Sequence, residues 1–170
     1  MKTSPRTRLL FSALFFATLC PAISSQDHDH EHDTDHHAHH VWEIGGAVGA
    51  VYNLQEKHTA PGIHAHILKN FGEENQFGMG LGFETFLDEH KHLNFGIPLN
   101  YNTLKRFVFT VTPGVLLKHE TTWDASPSIH FESLYEFEFE HFHMGPMLEF
   151  AFAPADFHIM LGLHIGLGWK

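Results

Sequence analysis

The sequence predicts an all-β fold, and three observations lead to it. Beyond residue 40, apolar residues alternate with small or polar residues at a period of two rather than 3.6. This alternation recurs in eight segments, which are separated by short breaks. One face of each segment is rich in Phe and Leu, whereas the other carries Gly, His, Glu and Thr. An apolar face outward and a polar face inward is typical of transmembrane β-barrels. We therefore predict an eight-stranded antiparallel transmembrane barrel over residues 41–170.

Composition excludes several other classes of protein. The chain has 170 residues, with 20 Asp and Glu against 10 Lys and Arg, and a formal net charge of −10. Such an acidic chain repels phosphate, so nucleic acid is not an expected partner. The single cysteine, Cys20, excludes an internal disulfide framework. Nothing in the sequence indicates an organic cofactor.

Residues 1–25 are predicted to be a secretory signal peptide. Three basic residues precede an apolar run over 9–19, and small residues follow it. The run is shorter than the roughly 20 residues that a membrane-spanning helix requires. An alternative is a lipoprotein signal ending at Cys20, although bulky Leu19 is unfavourable there. Either interpretation predicts export from the cytoplasm.

Residues 26–40 are predicted to be a disordered metal-binding tail. Within 27–40, seven residues are His and five are Asp or Glu, so there is nothing apolar to bury. Neutral imidazole suits Zn, Cu and Ni, and the interleaved carboxylates attract any cation. The alternative is a solvated acidic linker. The candidate tail ligands are His28, His30, His32, His36, His37, His39 and His40.

The eight predicted strands follow in order. They occupy residues 41–52, 62–71, 76–87, 92–101, 106–118, 128–139, 142–152 and 158–170. The third has the sharpest alternation, with Phe77 and Leu81 opposite Gly78 and Gly82. A soluble barrel would force the Phe rows into a narrow interior and expose mid-strand glycines, so the Phe face is predicted to face lipid.

Two further patterns support a membrane barrel. The predicted connections 53–61, 88–91, 119–127 and 153–157 are longer than 72–75, 102–105 and 140–141, as expected of outer loops and periplasmic turns. At the short-turn end, each strand carries an aromatic residue on its lipid face, which predicts an interfacial aromatic girdle. The girdle residues are Trp42, Phe71, Phe77, Tyr101, Phe107, Phe139, Phe142 and Trp169. Both patterns place the tail in the periplasm.

On these features the sequence resembles the small eight-stranded outer-membrane β-barrel proteins of Gram-negative bacteria. The resemblance covers residues 41–170 and includes the alternating C-terminal run 159–170, which ends in an aromatic residue followed by Lys170. It implies a location in the outer membrane, with lipid and the barrel-insertion machinery as partners. It does not imply one activity, because such barrels include adhesins, enzymes and structural proteins.

The predicted interior is rich in Glu and His but has almost no balancing Arg or Lys. Buried unpaired charge is costly, so protonation or a bound cation must compensate it. One interpretation is a hydrogen-bonded Glu–His plug, and the other is a metal site. The candidate interior ligands are His64, His66, Glu84, Glu132, Glu149 and His164. We expect the barrel to be closed rather than a pore. The loop histidines His58, His90, His92 and His119 are expected to be solvated at the rim.

Three classes of function follow. The first is a binding protein that captures or buffers divalent transition metal through its periplasmic tail. The second is a structural or adhesive barrel with an incidental tail. The third is a lipid-modifying enzyme, for which the only candidate pattern is Ser128-x-His130-x-Glu132. That spacing is common by chance in strands, so we predict that the protein is not an enzyme.

Overall fold

The alternating segments form strands in a computed structural model, which describes residues 40–88, 91–104, 106–119, 121–139, 142–154 and 156–170. The predicted signal peptide and tail residues 26–39 lie outside these ranges. The described part of the chain contains ten strand segments: β1 (Trp42–Asn53), β2 (His58–Phe71), β3 (Phe77–Leu87), β4 (Lys91–Gly96), β5 (Leu99–Leu104), β6 (Phe107–His119), β7 (Trp123–Tyr135), β8 (Phe137–Glu138), β9 (Phe142–Ala153) and β10 (Asp156–Trp169).

These ten segments make the eight strands of a closed antiparallel barrel, as predicted. We call each of these full-length barrel strands a stave, because two of them consist of two segments. Segments β4 and β5 form one stave, because both pair with β3 and β6. Their interruption falls at Pro98, which has no backbone N–H to donate to the ladder. Segments β7 and β8 likewise form one stave beside β9. The seam is the β1–β10 ladder, which runs from the pair Trp42–Trp169 to the pair Asn53–His158.

The turn between β2 and β3 shows how a local sequence ends a stave. Gly72 has a φ of 89°, a left-handed conformation that glycine adopts without steric cost. A single 3-10 turn at Glu73–Asn75 follows and reverses the chain. Among the described residues, no helix is long and apolar enough to cross a membrane.

The predicted connection lengths were wrong. The residues between successive strands at one end are 54–57, 88–90, 120–122 and 154–155. Strand β2 already begins at His58, and β7 at Trp123, where polar residues and a proline had indicated loops. Backbone pairing extends beyond the apolar part of each hairpin, because the ladder needs no apolar side chains. Loop length therefore does not distinguish the two ends of the barrel.

The orientation of the two faces and the aromatic girdle are as predicted. Leu81 and Leu161 are 68% and 64% exposed on the outside, whereas Glu149 and His164 are 0% and 1% exposed inside. All eight girdle residues are exposed at one end, which we call the girdle end. Neighbouring girdle rings are in contact there, with centroids 5.3 Å apart for Phe77 and Tyr101. We call the opposite end the far end.

Apolar side chains occupy the part of the interior that the polar residues leave. Leu68, Met147 and Met160 are fully buried, at 0%, 1% and 0% exposure. These three residues lie on β2, β9 and β10, at positions whose side chains point inward by strand parity. Smaller buried residues, such as Ala47 and Val51, occupy inward positions on β1. The buried His and Glu side chains thus share the described interior with packed apolar side chains.

Candidate metal-binding interior

Carboxylate and imidazole groups are both abundant inside the described barrel. The buried or half-buried carboxylates are Glu43, Glu84, Asp88, Glu132, Glu136, Glu149 and Asp156. The buried histidines are His64, His66, His92, His130, His143, His158 and His164. Among the described basic side chains only Lys118 is not fully exposed, and its Nζ lies 2.7 Å from Glu56 Oε1 at the far-end rim. No arginine or lysine therefore neutralises the described carboxylates in the middle of the barrel.

A central group of four ligands comes from four different staves. Glu84 on β3, His130 on β7, Glu149 on β9 and His158 on β10 each offer an atom within 4.8 Å of the others. His130 Nδ1 lies 3.2 Å from Glu149 Oε1 and 3.3 Å from Glu84 Oε2. His158 Nε2 lies 3.2 Å from Glu84 Oε1. Two nitrogen and two carboxylate ligands form a set that a tetrahedral divalent ion accepts.

A second group shares Glu149 with the first. His64 on β2 has its Nδ1 3.5 Å from both Glu132 Oε2 and Glu149 Oε2. Glu132 and Glu149 are direct cross-strand partners on β7 and β9, at 7% and 0% exposure. Like charges directly opposite each other destabilise a sheet, and burial increases the cost. This pair therefore requires a proton or a cation between its carboxylates.

A third group lies at the girdle end. His66 Nε2 is 3.2 Å and His143 Nε2 is 3.4 Å from the same atom, Glu43 Oε1. The ring of His164 is stacked between them, with centroids 5.2 Å from His66 and 5.3 Å from His143. Glu43, His66 and His164 offer atoms within 4.8 Å of one another. Glu136 also approaches His143 Nε2, at 3.4 Å.

The far end completes a continuous file of ionisable side chains along the barrel. His158 Nδ1 lies 2.8 Å from Asp156 Oδ1, and Asn53 Nδ2 donates a hydrogen bond to Asp156 Oδ2 at 3.1 Å. His92 Nδ1 lies 3.1 Å from Asp88 Oδ2. Ionisable side chains thus extend from the girdle-end group to Asp88 and Asp156 at the far end.

All six predicted interior ligands point inward, but they divide among the three groups. Glu84 and Glu149 belong to the central group, His64 and Glu132 to the second, and His66 and His164 to the third. Metal binding by these residues stays a prediction. Of the tail ligands only His40 is described, and its carbonyl accepts a hydrogen bond from Asn70 Nδ2 at 3.0 Å. The others lie outside the described residues.

The prediction of the rim histidines was wrong for one of them. His92 is only 2% exposed, because it belongs to β4 and points inward toward Asp88. His58 is exposed, His119 is half-buried, and His90 lies outside the described residues.

Four members of the groups were missing from the predicted set, namely Glu43, His130, His143 and His158. Their inward parity was visible in the sequence, so parity alone would have found them. Parity does not show which of the inward residues are neighbours, because that depends on the stagger between strands.

The Ser128-x-His130-x-Glu132 pattern does not form a catalytic arrangement in the described structure. Ser128 Oγ donates a 2.6 Å hydrogen bond to Asn94 Oδ1, whereas His130 faces Glu84 and Glu149. A nucleophilic serine needs a base within hydrogen-bond reach of its hydroxyl.

Comparisons with known proteins identify the fold. No protein-family model matches the sequence, and no curated protein does. A de novo designed transmembrane β-barrel is similar at 13% identity and a TM-score of 0.53, over 74% of this chain and 95% of the design. The N-terminal β-barrel domain of OprF from Pseudomonas aeruginosa is 12% identical with a TM-score of 0.51, over 75% of this chain and 97% of that domain. Ail of Yersinia pestis is 12% identical with a TM-score of 0.48, over 74% and 95%.

The chain has the fold of the small outer-membrane β-barrels. This agrees with the resemblance drawn from the strand pattern, and no subfamily is indicated. Identities this low establish the architecture alone, so function rests on the interior.

Proposed function

We propose that the protein is an outer-membrane β-barrel that captures and holds divalent transition metal ions, in the class of Zn, Cu and Ni. In this proposal residues 26–40 collect the ion in the periplasm and the closed barrel binds it among its His and Glu side chains. The observation that carries the proposal is the directly opposed, buried pair Glu132 and Glu149. It has His64 beside it, and no arginine or lysine of the described residues forms an ion pair with it.

The ligand types favour transition metals over Ca or Mg. Calcium and magnesium prefer sites built from oxygen atoms alone, whereas imidazole nitrogen suits Zn, Cu and Ni. Each of the three interior groups combines imidazole with carboxylate. The tail has the same mixture, with seven His and five acidic residues in 27–40. In this proposal the tail exchanges ions with its surroundings, and the barrel holds them among side chains whose positions are fixed by the strands.

The test compares four full-length proteins folded in detergent micelles. The first is the native chain. In the second, the tail variant, His28, His30, His32, His36, His37 and His39 are each replaced by Asn. The third is Glu149→Gln, with Glu73→Gln at an exposed turn position as its matched control. Each protein is loaded separately with zinc, copper or nickel, and the bound metal per chain is measured by elemental analysis after dialysis against a weak chelator.

We expect the native chain to retain the most zinc and the tail variant to retain less. Glu149→Gln should lose the central zinc, and Glu73→Gln should match the native chain. If the native chain retains no zinc, copper or nickel, the proposal is wrong and a structural or adhesive barrel is the better interpretation. Protease added to intact cells tests the tail location, since cleavage within 26–40 would contradict a periplasmic tail.

A further inference from the structure

Resting on the proposed function, we infer that the girdle-end group is a metal site distinct from the central one. Its ligands are His66, His164 and Glu43, with His143 as a fourth, and its ion is Zn²⁺ or Cu²⁺ received from the tail.

The first observation is an unsatisfied histidine. Neither ring nitrogen of His164 has a hydrogen-bond partner in the described part of the chain, although the residue is only 1% exposed. A buried polar group left without a partner costs free energy, so native proteins rarely retain one without a reason. A neutral imidazole has a lone pair on one ring nitrogen, and that lone pair can bind a metal ion. The position of His164 between His66 and His143 directs it into the group.

The second observation is the space made for these rings by glycine. A Cβ atom at Gly45 would lie 2.6 Å from His66 Nε2 and 2.8 Å from His164 Nε2. A Cβ atom at Gly166 would overlap the ring of His143, and one at Gly168 would overlap the side chain of His40. These glycines lie on the two seam strands. Because glycine has no side chain, these three positions leave space inside the barrel, and imidazole rings occupy that space.

The third observation is the difference in ligand type between the two sites. The girdle-end group offers up to three imidazole nitrogens and one carboxylate, whereas the central group offers two of each. More nitrogen ligands shift the preference toward Cu²⁺ and Zn²⁺. The two sites are therefore distinguishable by the number of nitrogen atoms bound to the metal.

The position of His40 connects this site to the tail. His40 is the last of the seven tail histidines, and its side chain lies against Gly168 at the girdle end. The central group lies deeper, beyond His64, whose ring centroid is 5.4 Å from that of His66. Residue 40, where the predicted tail ends, therefore lies at the same end of the barrel as the girdle-end ligands.

The experiment uses the full-length tail variant, so that the tail does not compete for metal. One equivalent of Cu²⁺ is added in micelles, and the nitrogen atoms bound to copper are counted by electron spin echo spectroscopy. We expect three imidazoles in the tail variant, two after His143→Gln, and at least tenfold weaker copper binding after His164→Gln. The exposed control His58→Gln should leave the three-imidazole signal unchanged.

A second variant separates ligation from folding. His164→Cys keeps a ligand at the same position, and with Co²⁺ it should give a thiolate-to-cobalt charge-transfer band that His58→Cys does not give. Heat-dependent gel mobility verifies that each variant is folded.

The outcomes distinguish the two proposals. A three-imidazole signal that survives His164→Gln, or no band in folded His164→Cys, would overturn the girdle-end site. If zinc is still lost on Glu149→Gln in that case, the proposed function stands. Absence of any metal from the native chain and its variants would overturn both.

Discussion

A methyl group added at Gly45 should damage the girdle-end site while leaving the barrel folded. The new Cβ atom would lie 2.6 Å from His66 Nε2 and 2.8 Å from His164 Nε2. Ordinary contact between such atoms is about 3.5–4.0 Å, so the rings must move by about 1 Å. The atoms that the new Cβ would overlap are at the ends of side chains. The imidazole rings can therefore shift while the backbone hydrogen bonds between strands remain.

The magnitude follows from overpacking. Inserting one methyl group into a packed interior costs about 1–3 kcal/mol. If the displaced rings regain their ligating positions only at that cost, metal affinity falls by about 5- to 160-fold. We expect this loss in a Cu²⁺ titration of Gly45→Ala in the tail-variant background, with little change in heat-dependent gel mobility.

Two other interior glycines serve as matched controls on β3. A Cβ atom at Gly82 would lie 3.4 Å from Pro98 Cδ, so Gly82→Ala should preserve both the fold and copper affinity. A Cβ atom at Gly80 would overlap the backbone carbonyl oxygen of Ile67, so Gly80→Ala should disrupt β2–β3 pairing and prevent folding. The reasoning is refuted if Gly45→Ala binds copper as tightly as Gly82→Ala, or fails to fold as Gly80→Ala does.

Three further predictions concern stability and are measured by urea titration of the protein in lipid vesicles. Leu81→Arg places a charge on the lipid face, where Leu81 is 68% exposed. Near the bilayer midplane it should lower the free energy of unfolding by about 2–4 kcal/mol. An unchanged midpoint of the urea titration would mean that this face does not contact lipid. Asp156→Ala leaves the buried Asn53 amide without its acceptor and should lower the free energy of unfolding by about 1–3 kcal/mol. A more stable variant would show that burying the charge of Asp156 costs more than its hydrogen bonds contribute. Lys118→Ala removes an ion pair at the solvated rim and should change stability by about 0–1 kcal/mol; a larger loss would indicate that the pair is buried by another part of the protein.

The barrel was predictable because its determinants are local. The alternation of Phe77, Met79 and Leu81 with glycine fixes both the strand and its lipid face, since a shift of one residue would exchange the faces. The aromatic girdle was predictable for the same reason. By contrast, the extent of pairing near Pro61 and Pro127 was not, because the hairpin ladder continues through residues whose composition indicates a loop.

The composition of the ligand groups was only partly predictable. Parity places His130 and His158 inside, but their approach to Glu84 depends on the stagger across β3, β7 and β10, which no single strand encodes. The charge imbalance was visible in the sequence, whereas the direct opposition of Glu132 and Glu149 required the β7–β9 register. The sequence thus indicates that the interior carboxylates need protons or cations to balance their charge. The strand register indicates that this need is greatest at Glu132 and Glu149.

The seam gives the girdle-end ligands an additional role in assembly. Glu43 and His66 come from the first two staves and His143 and His164 from the last two, so the ligand set is complete only after β1 has paired with β10. In the proposed site, a bound ion would join positions that lie between 77 and 121 residues apart along the chain and would hold the two seam strands together. Opening the seam would then require release of the ion, so metal supply would add to the stability of the closed barrel.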